Sequence, residues 1–274
     1  MTGTPLLVDT LVSELRTFPK RSVTAMKDTT TLTPQSLMGM LAWEEGKNSL
    51  AQLEAIPGNI VHPETFRYPI KFIRVKGANY RTVVEQPNEM VLAEMIKAAR
   101  EMEDAGVKAI TTSCGFNAIF QKELANAVAV PVFSSSLMQV PMVYNMLKQG
   151  HQIGIITADK GSLTRQHLEH AGIDKSIPLC IAGMEDTEEF SKARKDPEAR
   201  VDHGKFIQEV VDVAVMLASE NQNLGAIVLE CTDLPPAAAA IRERLGLPVF
   251  DIVTLMNMVH ESVTGLGWAN QGAL

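Results

Sequence analysis

One stretch of this chain is written twice. The first copy reads Lys108-Ala109-Ile110-Thr111-Thr112-Ser113-Cys114, the second Gly225-Ala226-Ile227-Val228-Leu229-Glu230-Cys231. Each later reaches Pro-Val-Phe, at Pro131 to Phe133 and at Pro248 to Phe250. Cys231 stands 117 positions after Cys114 (231 − 114), and Pro248 stands 117 after Pro131 (248 − 131). Ala, Ile, Cys, Pro, Val and Phe all coincide at that offset without a gap. A short apolar run, a turn and a second apolar run, repeated in register, predict two halves of like fold. The same register puts two thiols at equivalent points, where they can face one small molecule across a shared cleft.

The rest of the chain alternates strand and helix patterns. Strands are expected at 37–43, 70–75, 109–112, 130–133, 152–157, 177–181, 226–229 and 248–252. Helical spacing of Met90, Val91, Met95, Ala98 and Met102 predicts a helix over 88–104, ended by Gly106. Further helices are expected at 117–128, 162–171, 206–220, 236–245 and 254–264. Such alternation predicts parallel sheets. The expected fold is α/β, two pseudo-symmetric doubly wound parallel-sheet halves with the active site in the cleft between them. Residues 1–35 read as an N-terminal extension. Residues 36–140, joined by 250–274, form the first half with Cys114. Residues 141–249 form the second with Cys231. The charged segment 190–197 is expected on the surface, and the last helix is expected to return to the first half.

Bulk properties narrow the function. A net charge of −7 argues against non-specific nucleic-acid binding. With 46% apolar residues the 274-residue chain has ample material for a core. Its three cysteines include no CxxC, which suits a reducing cytoplasm and not a disulfide framework. Asp9 and Glu14 lie where a signal peptide would be basic and then apolar. No run approaches the about 18 apolar residues of a membrane span. The histidines form no HExxH pattern, so no metal site is expected. Neither GxGxxG nor GxxxxGK[ST] is present, and no lysine context marks a Schiff base, so no cofactor is expected.

Ligands of open α/β sheets bind beyond the carboxyl ends of the strands. Cys114 and Cys231 fall there, each before a helix start. Free backbone N–H groups at such a turn favour a thiolate and can hold a carboxylate. Gly115 permits close approach, while Ser113, Asn117, Thr232 and Ser134 to Ser136 offer donors. A cysteine ending a buried strand is ordinarily an inert core residue; the shared register is what singles out this pair. Cys180 has no counterpart at the offset, where Pro63 stands, and is expected in the core. Arg67, Lys71, Arg74, Lys76 and Arg81 make a locally basic segment that reads first as the solvated face of an edge strand and, alternatively, as an aid in attracting an acidic substrate to the cleft.

The motifs Thr111-Thr112-Ser113-Cys114-Gly115-Phe116-Asn117 and Glu230-Cys231-Thr232-Asp233-Leu234-Pro235 resemble the two cysteine motifs of the aspartate/glutamate racemase superfamily. That group works without PLP and includes hydantoin racemases, maleate cis–trans isomerases and arylmalonate decarboxylases. The resemblance covers roughly residues 36 to 260. Cys-Thr-acid-Leu-Pro matches the aspartate-racemase type closely. Cys-Gly-Phe departs from the Cys-Asn-Thr common in glutamate and aspartate racemases. Gly39-Met40-Leu41-Ala42-Trp43-Glu44-Glu45 replaces an early Asp-Ser-Gly-Gly.

The resemblance implies a cofactor-independent racemase or epimerase of an amino acid or related small carboxylate. Cys114 and Cys231 would exchange the α-proton, and Asp233 would assist Cys231. Glu44 or Glu45 would do the same for Cys114, if either is more than a solvated loop residue. The substrate-binding residues it implies are Asn59, Gly115, Phe116, Asn117, Ser135 and Thr232. A cis–trans isomerase, a decarboxylase and a non-catalytic carboxylate-binding protein stay open. Relatives are commonly homodimers; the sequence leaves the assembly open.

Overall fold

The computed structural model describes residues 36–44, 51–196 and 199–264. The proposed N-terminal extension, Glu45 and the last ten residues lie outside them. In the first sheet run β1 (Met38–Ala42), β2 (Ile70–Arg74), β3 (Ala109–Thr112) and β4 (Val132–Phe133), all parallel, in the order β2-β1-β3-β4. Between and after them come α1 (Ala51–Glu54), α2 (Glu89–Asp104), α3 (Gln121–Ala127) and α4 (Val140–Met146). The second sheet holds β5 (Gln152–Thr157), β6 (Leu179–Gly183), β7 (Leu224–Leu229) and β8 (Val249–Phe250), parallel in the order β6-β5-β7-β8. Between and after these strands come α5 (Arg165–His170), α6 (Glu188–Lys195), α7 (His203–Glu220), α8 (Ala238–Leu245) and α9 (Ile252–Thr264).

The two sheets share one strand order, and the written repeat is a structural one. α8 starts 117 residues after α3 (238 − 121), and β8 starts 117 after β4 (249 − 132). Strands β1, β3 and β7 are buried throughout, which is why they read as unbroken apolar or Thr-rich runs. Edge strands β2 and β6 are partly exposed. Helix α2 starts where the Asn88 side chain accepts the Val91 N–H at 3.1 Å, and stops before Gly106 at φ 87°. Its stripe of Val91, Met95, Ala98, Ala99 and Met102 is buried on the first sheet. A Cβ at Gly39 would stand 2.6 Å from the Met102 sulfur, so a side chain at this strand position would have to displace the Met102 side chain of α2. Helix α9 places Ile252, Leu255 and Met256 against Met38, Met40, Ala109 and Phe133 of the first sheet. No helix among the described residues is long and apolar enough to cross a membrane.

Two sequence expectations need correction. The segment from 190 is not a surface tract: α6 occupies most of it, with Phe190 fully buried and stacked on Phe206, centroids 6.5 Å apart. Charge on one face hid an apolar face that is only two residues wide. Cys180 is half-buried on an edge strand, not in the core, because β6 has a neighbour on one side only.

Candidate active site

β3 delivers Cys114 to the carboxyl edge of its sheet, and hydroxyls hold the turn there. Thr111 Oγ1 donates to Phe133 O, and Thr112 Oγ1 lies 2.8 Å from both Cys114 O and Ser134 O. Gln121 locks the next strand by donating to Val132 O and accepting from the amide and hydroxyl of Ser134. Cys114 then caps the tight helical turn Gly115–Phe120. The Phe116 ring packs edge-on to His167 of α5 at 5.3 Å.

The second thiol is delivered the same way. Glu230 N donates to Ile156 O as β7 ends, and Cys231 follows. Thr232 Oγ1 donates to Ser113 O at 2.7 Å, tying the second cysteine turn to the first. Ser136 Oγ donates to Leu229 O at 2.6 Å and ties the halves again. Asp233 turns back toward its own cysteine: Cys231 Sγ lies 3.7 Å from Asp233 Oδ2 as donor. The other oxygen, Oδ1, accepts from Asn59 Nδ2 at 2.7 Å.

Both thiols open onto one small cavity. Its wall includes Trp43, Glu54, Tyr80, Ser113, Cys114, Gly115, Phe116, Cys231, Thr232 and Asp233. The Trp43 indole N–H is buried there without a hydrogen-bond partner in the protein. The Tyr80 hydroxyl has no hydrogen bond of standard geometry, although the Arg194 guanidinium lies 5.4 Å from its ring centre. Electrostatically the site is acidic. Burial, above all, pushes the Asp233 carboxyl up to about 7, against the pull of the Asn59 hydrogen bond. Burial likewise takes Glu230 up to about 7, opposed by the Thr157 hydroxyl and the Ala158 amide.

The thiols differ from expectation. Burial raises both well above the ordinary thiol value, and nearby carboxylates add to it: Glu230 for Cys114, Asp233 for Cys231. Backbone N–H groups do lower them, as the turn position suggests, but desolvation outweighs that contribution. Each thiol therefore rests protonated and needs a base before it can act.

Of the residues singled out in the sequence, Cys114, Gly115, Phe116, Cys231, Thr232 and Asp233 meet at the cavity. Asn59 stands behind it, donating to Asp233 Oδ1 and Leu53 O and accepting from Val61 N. Ser135 caps a turn by accepting from Leu137 N. Asn117 is buried behind the Cys114 turn, its Oδ1 without a partner. Glu44 accepts from Gly77 N at 3.0 Å. Sequence reasoning missed Glu54, Tyr80 and Trp43 as wall residues, and Glu230 as a buried acid. Glu230 was visible as a charge ending an apolar strand, a position that asks for a reason. Among the described residues no group of His, Cys, Asp or Glu is arranged to hold a metal ion.

Residues 75–256, well over half of the chain, match the family described as Asp/Glu/Hydantoin racemase. The chain belongs to the Asp/Glu/hydantoin racemase family. Within this enzyme family it is similar to a dimethylsulfoniopropionate lyase of Durusdinium sp. clade D, 30% identical over 72% of this chain and 67% of that protein. Dimethylsulfoniopropionate lyase 3 of Emiliania huxleyi (strain CCMP1516) is 31% identical over 75% of this chain. The chain spans only 56% of that relative's length. Among solved structures, allantoin racemase from Klebsiella pneumoniae superposes with a TM-score of 0.56 at 17% identity, covering 85% of this chain and 89% of that one. Unliganded arylmalonate decarboxylase gives 0.53 at 16% identity, covering 85% and 94%. At such identities the racemase-family likeness concerns the fold.

Proposed function

We propose that this protein removes the α-proton of a small carboxylate with a buried cysteine thiolate, and that it is a lyase for a substrate of the dimethylsulfoniopropionate kind. The observation that carries the proton abstraction is the meeting of Cys114 and Cys231, one from each sheet, at a single cavity with Asp233 beside the second thiol. The substrate class rests on the named relatives and on the character of the wall. A sulfoniopropionate is a zwitterion. Its positive end suits a wall with Glu54, Asp233 and aromatic rings. Its carboxylate can accept from the Trp43 N–H, which has no partner within the protein.

The chemistry balances simply. A thiolate takes the proton from Cα, and the C–H electron pair forms the new double bond to Cβ. The Cβ–S bond breaks, and its electrons leave with dimethyl sulfide. Acrylate remains, and one proton passes through the thiol to solvent. Holding both reacting groups in one small cavity makes the proton transfer effectively intramolecular.

A second reading is two-base racemisation of an amino acid or related carboxylate between Cys114 and Cys231. It is favoured by the second thiol, which a one-base elimination does not require.

One experiment separates the two. The protein is incubated in D₂O with dimethylsulfoniopropionate and, separately, with amino acids, hydantoins and small dicarboxylates. Headspace dimethyl sulfide and proton NMR are read together, with Cys114→Ala and Cys231→Ala alongside. Dimethyl sulfide from the wild type, falling at least about 100-fold in a cysteine variant, is the expected result. Exchange of an amino-acid α-proton, lost in both variants and without dimethyl sulfide, moves the function to racemisation. Isomerisation of a maleate-like alkene would move it to cis–trans chemistry, and turnover undiminished in both variants would sink both thiol readings.

A further inference from the structure

The fate of the Cys114 proton is not explained by the cysteine motifs. Cys231 has Asp233 at hydrogen-bond range; Cys114 has no such neighbour within its own turn. Of the two sequence-based candidates, Glu44 has its carboxylate on the Gly77 amide, and Glu45 lies outside the described residues. Glu230 is the carboxylate that the fold brings to the first thiol. It is fully buried, and Thr157 Oγ1 fixes one oxygen by donating to Oε2 at 2.7 Å. The other oxygen, Oε1, is buried without a hydrogen bond of standard geometry. That free oxygen points at the Cys114 turn: any side chain at Gly115, the residue after the thiol, would collide with Oε1 and with the main-chain carbonyl of Glu230. Among charged groups Glu230 acts most strongly on Cys114.

A buried carboxylate with an oxygen that lacks a hydrogen bond of standard geometry is costly to keep. An unsatisfied buried polar atom in a native fold asks for an explanation, and a catalytic role is one such explanation. We propose that Glu230 is the proton acceptor for Cys114, taking the thiol proton on Oε1 and leaving the thiolate that attacks the substrate α-proton. The S–H bond breaks and its electron pair stays on sulfur. The O–H bond forms on the carboxylate, which becomes a neutral acid. After the thiolate has taken the α-proton, Glu230 accepts that proton from the thiol in turn, having released the first to solvent as the site empties. Glu230 thus acts through the thiol and not on the substrate. Each site cysteine then has its own buried acid, Glu230 for Cys114 and Asp233 for Cys231. This assignment rests on the proton-abstraction reading above.

The test reads the thiol directly, so that it does not depend on turnover. In a Cys180→Ser, Cys231→Ser background, the rate of Cys114 alkylation by iodoacetamide is followed against pH, with and without Glu230→Gln. With Glu230 present, the rate rises through an inflection near neutral pH and then levels, because the acid and thiol titrate as a pair. In Glu230→Gln the neutral inflection disappears, alkylation at neutral pH drops about tenfold or more, and kcat in the full-cysteine protein falls about 100-fold. A Glu230→Gln thiol that reacts as fast or faster at neutral pH overturns the proposal, since Glu230 would then only repel the thiolate. Thr157→Val keeps the question open to refutation if Glu230→Gln does not fold. Losing the Thr157 hydrogen bond must move the inflection to higher pH, and an unmoved inflection rejects Glu230. A wild type that turns over no substrate would reject the proposed function, while the alkylation profile would still decide the role of Glu230.

Discussion

At the scale of single residues, Asp233 shows how one hydrogen bond tunes an acid. Its carboxyl is buried beside Cys231 and held partly ionisable by the Asn59 amide, 174 positions away in the chain. Asn59→Ala removes that donor. The Asp233 pKa should rise further above about 7, and the acid limb of the pH–rate profile should move to higher pH. The lost bond to a buried carboxylate should cost about 1–3 kcal/mol, or roughly 2–4 °C of melting temperature per kcal/mol in a domain of this size. Calorimetry and a pH–rate profile on one preparation check both, and an unmoved acid limb would separate Asp233 from the reaction. Register marks Cys114 and Cys231 in the sequence, and Asp233 stands out through the resemblance of its Cys-Thr-acid-Leu-Pro motif to the aspartate-racemase type. No sequence signal marks the Asn59 contact, since nothing local joins a loop at 59 to a turn at 233.

Elements tell a second story, at α6. The sequence segment looks like a charged surface tract, yet Glu189 is almost fully buried and organises two helix starts. It accepts the Asp202 N–H at 2.8 Å just before α7, and Lys192 Nζ donates to it at 2.7 Å. Its own N–H donates to the Glu209 carboxylate on α7. Glu189→Ala should therefore loosen α6 from α7 by removing the acceptor of the Asp202 N–H and of the Lys192 ammonium, at a cost of about 0.5–1.5 kcal/mol per hydrogen bond. Thermal melts should show the loss, and hydrogen exchange should show it concentrated in 188–220. Exchange unchanged in that span would mean the network is incidental. Most other elements were legible: α2 and β3 were expected within a residue or so of where they lie, because long apolar periodicity and buried strand runs are local signals. Helix α4 was not expected, and Pro141 near its start gives it little periodic pattern to read.

For the whole molecule the buried acids set a direction in pH. Asp233 and Glu230 have folded values near 7, well above those of an unfolded chain. Between about pH 4 and 7 the folded state keeps protons the unfolded state would release. Stability from these groups is thus full below that window and lost as pH rises through about 7. His167 opposes them: its folded value is lowered to about 4, chiefly by burial, so its contribution grows as pH rises from about 4 to 6.5. Two acids outweigh one histidine. The melting temperature should fall from pH 5 to pH 8, and fall less steeply in Glu230→Gln. An equal slope in wild type and variant would show that Glu230 titrates alike in both states.

What the sequence determined by itself is the repeated strand–turn–helix and the two thiols at its equivalent points. These depend on local periodicity and on a register that survives in the chain as written. Only the tertiary structure decided the chemistry of the site. Glu54, Trp43 and Tyr80 reach the cavity from segments without a motif, and the state of each ionisable group is set by how much water the assembled halves exclude. A turn position favouring thiolate is a local property; burial that overrides it belongs to the whole fold.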